Sequence, residues 1–186
     1  MKNTKEKILY IAFETFLNHG FQSTTMNDLV KVANLSKGAF YHYYSNKTEL
    51  YNAVIDRYFL SYFKQVDWEK FDTLSFSETD NYMRYFYIKF VNEINVLSKG
   101  GLANYYVMFF EACKYHPSFL SEVQSFYKQL ESKVDVAIKK GGLELSAINV
   151  IAKYEGVLFW LSIFPKEKIE TIINSDYTPE TRVKGE

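Results

Sequence analysis

Residues 24–47 read TTMNDLVKVANLSKGAFYHYYSNK, and the spacing inside this stretch decides the fold. Thr25 followed three residues later by Asp28 has the form of a capping box at a helix start. Met26, Leu29, Val30 and Ala33 then recur at helical spacing, which gives a helix of about two turns ending near Asn34. Ser36 is placed to cap a further short helix whose first turn is Lys37, Gly38 and Ala39. Ser45 or Asn46, followed by Glu49, starts the helix after that. Two short helices joined across Asn34, Leu35 and Ser36 form a helix-turn-helix unit.

Helical geometry sorts the crowded rings of the second helix. Phe40 and Tyr44 lie four apart on one face and are assigned to the core with Leu35. Lys37, Gly38, Tyr41 and His42 lie away from that face, and Tyr43 less clearly so. In a helix-turn-helix unit the second helix enters the major groove while neighbouring donors hold phosphates. Ser36 and Lys37 stand beside the positive end of the helix dipole, where a phosphate is favoured. Gly38 permits close approach. Tyr41 and His42 can hydrogen-bond phosphate or stack on a thymine methyl. Thr25 and Lys47, each at the start of a flanking helix, can clamp the nucleic-acid backbone on both sides.

Outward from this unit the chain reads as helix throughout. Residues 4–19 carry Ile8, Ala12, Phe16 and Leu9, Phe13, Leu17 as a broad apolar stripe closed by Gly20. The helix from about 46 runs on with Leu50, Val54, Tyr58 and Tyr62 as its stripe. Residues 66–77 lack periodicity and read as a connector. Longer helices follow over roughly 78–97, 101–116, 117–140 and 146–164, with a short last one in KEKIETIIN. The expected fold is all-α with about nine helices. A helix-turn-helix domain occupies 1–46, a larger helical body 47–175, and a loosely held tail 176–186.

The formal net charge of the chain is zero, which argues against a highly basic nucleic-acid binder. Residues 1–50, however, hold six lysines against four carboxylates, so the small positive excess lies at the N-terminal end. The single cysteine, Cys113, excludes an internal disulfide and fits a reducing compartment. MKNTKEKILYIAF has no small-residue cleavage site, and VLFWLSIF is too short to span a bilayer. A cytoplasmic, soluble protein without membrane contact is expected.

The run ILYIAFETFLNHGFQSTTMNDLVKVANLSKGAFYHYYSNKTEL resembles the DNA-binding domain of TetR/AcrR-family transcriptional regulators. Matching positions include Ile8, Ala12, Gly20, Thr25, Ala33, Ser36, Lys37, Gly38, Phe40, Tyr41, Tyr44, Lys47 and Leu50, without a gap. There are two departures. Asn34 stands where many members carry glycine, and Asn tolerates the left-handed turn this implies. Tyr43 stands where histidine is frequent. The resemblance implies a homodimer on a pseudo-palindromic double-stranded DNA operator, paired through helices at about 117–140 and 146–164. It also implies a repressor that a small apolar or aromatic effector releases.

No Gly-rich phosphate loop, Ser-His-Asp order or paired-carboxylate arrangement appears, so neither an enzyme nor a cofactor is expected. Cys113 and His116 lack a third ligand at metal spacing and read as a buried thiol and a helix-end histidine. His19 reads likewise as the last-turn residue of its helix. Most body aromatics are core, but two helices carry more rings than one face can bury. Phe86, Tyr105, Phe109 and Trp160 are candidate walls of an effector pocket, with Glu111 as its polar anchor. A carboxylate among rings suits a cationic or aromatic ligand. The competing reading is a helical module that keeps this fold but binds only small molecules or proteins.

Overall fold

The computed structural model describes residues 2–174, with side chains from Thr4 onward; the expected tail 176–186 lies outside these. Helix α1 (Lys2–His19) buries Ile8, Leu9, Ala12, Phe13, Phe16 and Leu17, the stripe expected from its spacing. Gly20 ends it at φ 78, a conformation costly for any side chain, and the following Phe21 turns back with its ring 6.0 Å from that of Phe16. Helix α2 (Met26–Ala33) opens on the capping box: Thr25 Oγ1 accepts from Asp28 N, and Asp28 Oδ2 accepts from Thr25 N. It closes at Asn34, which holds φ 52 and ψ 49. Helix α3 (Lys37–Tyr41) is a single tight stretch capped by Ser36, whose Oγ accepts from Ala39 N. Helix α4 (Lys47–Val54) starts with Asn46 Oδ1 on Glu49 N and Glu49 Oε2 on Ser45 N.

Beyond Val54 the helix widens. Ile55–Leu60 is π-helical, and α5 (Ser61–Phe63) continues it. This corrects the stripe read from the sequence. Leu50 and Val54 are buried as expected, but the next buried pair is Phe59 and Leu60, while Tyr58 and Tyr62 are only part-buried. A π turn spends five residues where an α turn spends four, so the inward face moves on by one position.

The connector also changes. Asp67 Oδ1 accepts from Lys70 N and starts a short helix, α6 (Trp68–Thr73). Its Phe71 is buried against Tyr82 at 5.0 Å, and Trp68 lies 5.4 Å from Phe126. Six residues are too few to produce periodicity, so packing rather than pattern forms this helix. The remaining elements are α7 (Phe76–Leu97), α8 (Gly101–Tyr115), α9 (Phe119–Lys140), α10 (Ala147–Ile163) and α11 (Ile169–Ile173). Each lies within a few residues of its expected span. Among the described residues no strand occurs, and no helix is long and apolar enough to cross a membrane.

The chain packs as two compact units. The first takes the residues up to Val66 together with Leu97–Val123; the second takes Asp67–Val96 with the described residues from Gln124 onward. The boundary expected at residue 46 is therefore not a packing boundary, because α4 and α8 close the core of the helix-turn-helix unit. Tyr51 on α4 is fully buried, donates to Met108 O of α8 at 3.1 Å, and has its hydroxyl pKa driven upward by burial. In the second unit Tyr154 of α10 donates to Asp80 Oδ1 at 2.6 Å, and Arg84 ties Asp80 to the carbonyl of Ile173. Burial foremost, with the Asp80 hydrogen bond, raises the Tyr154 hydroxyl as well.

Candidate nucleic-acid interface and the body residues

Phe40 has no exposure and Tyr44 almost none, so α3 is anchored by the two rings expected to hold it. Burying a ring of this size stabilises by roughly 2–3 kcal/mol. The Tyr44 hydroxyl is buried without a hydrogen-bond partner, and burial, assisted by Glu6 and Glu49, pushes its pKa up to about 12. The rest of the stretch turns outward. Ser36, Lys37, Gly38, Ala39 and His42 are exposed, Tyr41 is 42% exposed and Tyr43 is part-buried. No carboxylate occurs between residues 36 and 47. The two flanking it, Asp28 and Glu49, are both engaged in caps. Hydrogen bonds from Thr25 and Ser45 hold their pKa values below the usual range.

Gly38 has ordinary helical backbone, and a methyl group added to it would meet nothing within 4 Å. Alanine would favour the helix by about 1 kcal/mol, so nothing within the chain calls for glycine here. Thr25 is exposed with its hydroxyl shared with Asp28 at 2.5 Å. Lys47 is differently occupied than its clamp role suggests. Its ammonium donates to Phe21 O at 2.8 Å and Thr24 O at 2.9 Å, and lies 4.3 Å from the Phe21 ring centre. Two of its three donors thus strap the α1–α2 loop to the start of α4.

The candidate pocket residues divide between the two units. Glu111 accepts from Phe21 N at 2.8 Å and holds the same loop. Tyr105 stacks on Phe59 at 5.2 Å with the rings 4° from parallel, and Phe109 meets Phe119 edge-on at 5.2 Å. These three belong to the first unit, whereas Phe86 and Trp160 belong to the second. Phe86 lies edge-on to Tyr87, and Trp160 is 46% exposed with Nε1 donating to Glu167. Cys113 is part-buried, with its thiol pKa raised by burial. His116 is buried at the end of α8, with Nε2 3.3 Å from Asp56 and Nδ1 accepting from Ser118 N. No metal-binding group occurs among the described residues.

The sequence reading missed Glu155. It sits in α10, part-buried, accepting from the hydroxyls of Tyr87 on α7 and Tyr127 on α9, the latter at 2.7 Å. Desolvation raises its carboxyl pKa, against the opposing pull of the two hydroxyls. The only signal in the sequence was an acid inside the apolar run IAKYEGVLFWL.

Residues 8–54 match the model for bacterial regulatory proteins of the tetR family. The HTH-type transcriptional regulator YhgD of Bacillus subtilis (strain 168) is 25% identical over 90% of both chains. A protein of Escherichia coli (strain K12) named "Probable acrEF/envCD operon repressor" is 39% identical over 49 residues, 26% of this chain and 22% of its own. The chain thus spans about a fifth of the length of that first curated relative. Among solved structures, a TetR transcription regulator from Haloarcula marismortui superposes with a TM-score of 0.66 at 16% identity, over 93% of this chain and 94% of its own. A transcriptional regulator from Aquifex aeolicus gives 0.62 at 20% identity, over 91% and 93%. These likenesses carry the fold over about nine-tenths of the chain, and the family match covers the helix-turn-helix. The helix-turn-helix segment, residues 8–54, is thus that of the tetR family of bacterial regulatory proteins.

Proposed function

We propose that this protein is a homodimeric repressor that reads a pseudo-palindromic duplex operator with α3 and releases it when a small effector enters the helical body. Gly38 carries the DNA-binding reading. An exposed helical glycine with open space around it is explained by a surface that must come close from outside, and it stands among Ser36, Lys37, Ala39, Tyr41 and His42. Thr25 and Tyr43 complete the set on either side, and Lys47 keeps one donor and its charge for a phosphate. The absence of a carboxylate between residues 36 and 47 favours DNA over a purely protein-binding role.

The face of α10 supports the dimer. Ile148, Phe159 and Ile163 are 59%, 60% and 54% exposed, and Ala152 and Gly156 lie between them at helical spacing. A methyl on Gly156 would also meet nothing within 4 Å, so this second helical glycine leaves room for a partner helix. The effector-release step rests on the family resemblance alone.

The test is Gly38→Ala, measured for both folding and binding to DNA from the protein's own upstream region. The variant is expected to unfold at the same temperature or higher and to bind at least about tenfold more weakly, by the cost of one close contact. Unchanged binding, or wild-type protein that binds no such duplex at low salt, overturns the reading.

A further inference from the structure

Glu155 poses a physical problem that the fold does not solve by itself. A carboxylate taken out of water is costly unless a positive charge compensates it. Among the described residues no lysine or arginine pairs with it: Arg84 is held by Asp80, and Lys153 lies 5.5 Å from the Tyr154 ring centre. Its partners are two neutral donors, Tyr87 and Tyr127. Aromatic rings pack beside both donors. Tyr87 stacks on Tyr154 at 5.0 Å and meets Phe86 edge-on, and Tyr127 meets Phe126 edge-on at 5.5 Å. Three helices, α7, α9 and α10, contribute to the cluster, and all of these residues lie in the second unit.

We propose that the Glu155 carboxylate, held between the hydroxyls of Tyr87 and Tyr127, is the anchor for the charged group of an organic cation. Electron-rich ring faces attract a cation, and a desolvated carboxylate supplies the full negative charge that offsets it. The two hydroxyls fix the orientation of the carboxylate before the ligand arrives. Both hydroxyls donate to Oε1, which leaves Oε2 to face the charge of the cation. The site deepens the effector reading given above and names the class of effector.

The test uses the intact protein and two probes, tetraphenylphosphonium and benzyltrimethylammonium, with triphenylphosphine oxide as a neutral aromatic control. Binding is followed by titration calorimetry without DNA. At least one cation is expected to bind, the neutral control to bind at least about tenfold more weakly, and Glu155→Gln to weaken the cation by about tenfold or more. Glu155→Gln keeps the shape and an acceptor for both tyrosines, and its thermal melt reports whether it folds. Affinity of the wild type should fall on acidification as Glu155 takes up a proton, and that of Glu155→Gln should not. Binding of neither cation, equal binding of the neutral control, or an unchanged Glu155→Gln affinity each overturns the site. DNA release is measured separately: a cation that binds at Glu155 yet leaves the DNA complex intact upholds the site and overturns the release step.

Discussion

The carboxylate of Glu111 accepts a hydrogen bond from the backbone N–H of Phe21 across 2.8 Å, joining two points ninety residues apart in the chain. The loop between α1 and α2 is thereby fixed from α8. Glu111→Ala is expected to destabilise the protein by about 1–3 kcal/mol, because the part-buried N–H loses a charged acceptor. Glu111→Gln, which keeps an acceptor, should lose less. Urea denaturation gives both values, and a loss under about 0.5 kcal/mol for the alanine variant, the level of an ordinary surface change, would refute the assignment.

Lys47 holds the same loop through the carbonyls of Phe21 and Thr24. Lys47→Met retains the stem over the Phe21 ring but removes both donors, so stability should fall by about 1–3 kcal/mol. Binding should weaken equally for all duplex sequences, and the salt slope should drop by about one if the third donor reaches a phosphate. A stability loss with an unaltered salt slope would leave Lys47 a strap only.

Asn34 occupies left-handed backbone with φ 52. Asn34→Gly should fold with equal stability, while Asn34→Ala should lose about 1–2 kcal/mol, since a Cβ is disfavoured there and alanine lacks the local hydrogen bonding of asparagine. Equal melting temperatures for the two variants would contradict this.

The carboxylates act on stability with opposite signs. Asp28 and Glu49 have folded pKa values lowered by cap hydrogen bonds, so their contribution is present above the usual carboxylate range and is lost as pH falls through the lowered values. Glu155 has a raised pKa. Its contribution is full below the usual glutamate value and is lost as pH rises through the raised one. Melting curves of Glu155→Gln against pH should therefore keep the acid-side decline and gain on the wild type as pH rises. An identical profile for the two proteins would show that Glu155 is not desolvated.

The parts of this fold that were legible in the sequence are those governed by neighbours three and four residues apart. Thr25 with Asp28, Ser36 with Ala39, and Asn46 with Glu49 are local hydrogen-bonded caps, and Phe40 and Tyr44 share a face by geometry alone. The missed features depend on distant partners. Glu111 stands in the ring-rich run NYYVMFFEAC, and nothing nearby indicates that it reaches Phe21. Glu155 is meaningful only once Tyr87 and Tyr127 arrive from other helices. The wide turns after Val54 were hidden for another reason: Tyr58 and Phe59 are both aromatic, so the sequence supports either register.

Those wide turns have a consequence for chain length. Between Val54 and Phe59 the path holds one residue more than an α-helix would need to bring the next ring inward. Asp56 and Arg57 are exposed there, so the surplus sits on the outer side. Removing either one should straighten the helix and still deliver Phe59 to Tyr105, whereas removing Asn52 or Ala53 should turn Val54 and everything after it off the core. A relative with a regular helix at this point should accordingly be one residue shorter, and the gap in a sequence comparison belongs between 55 and 58.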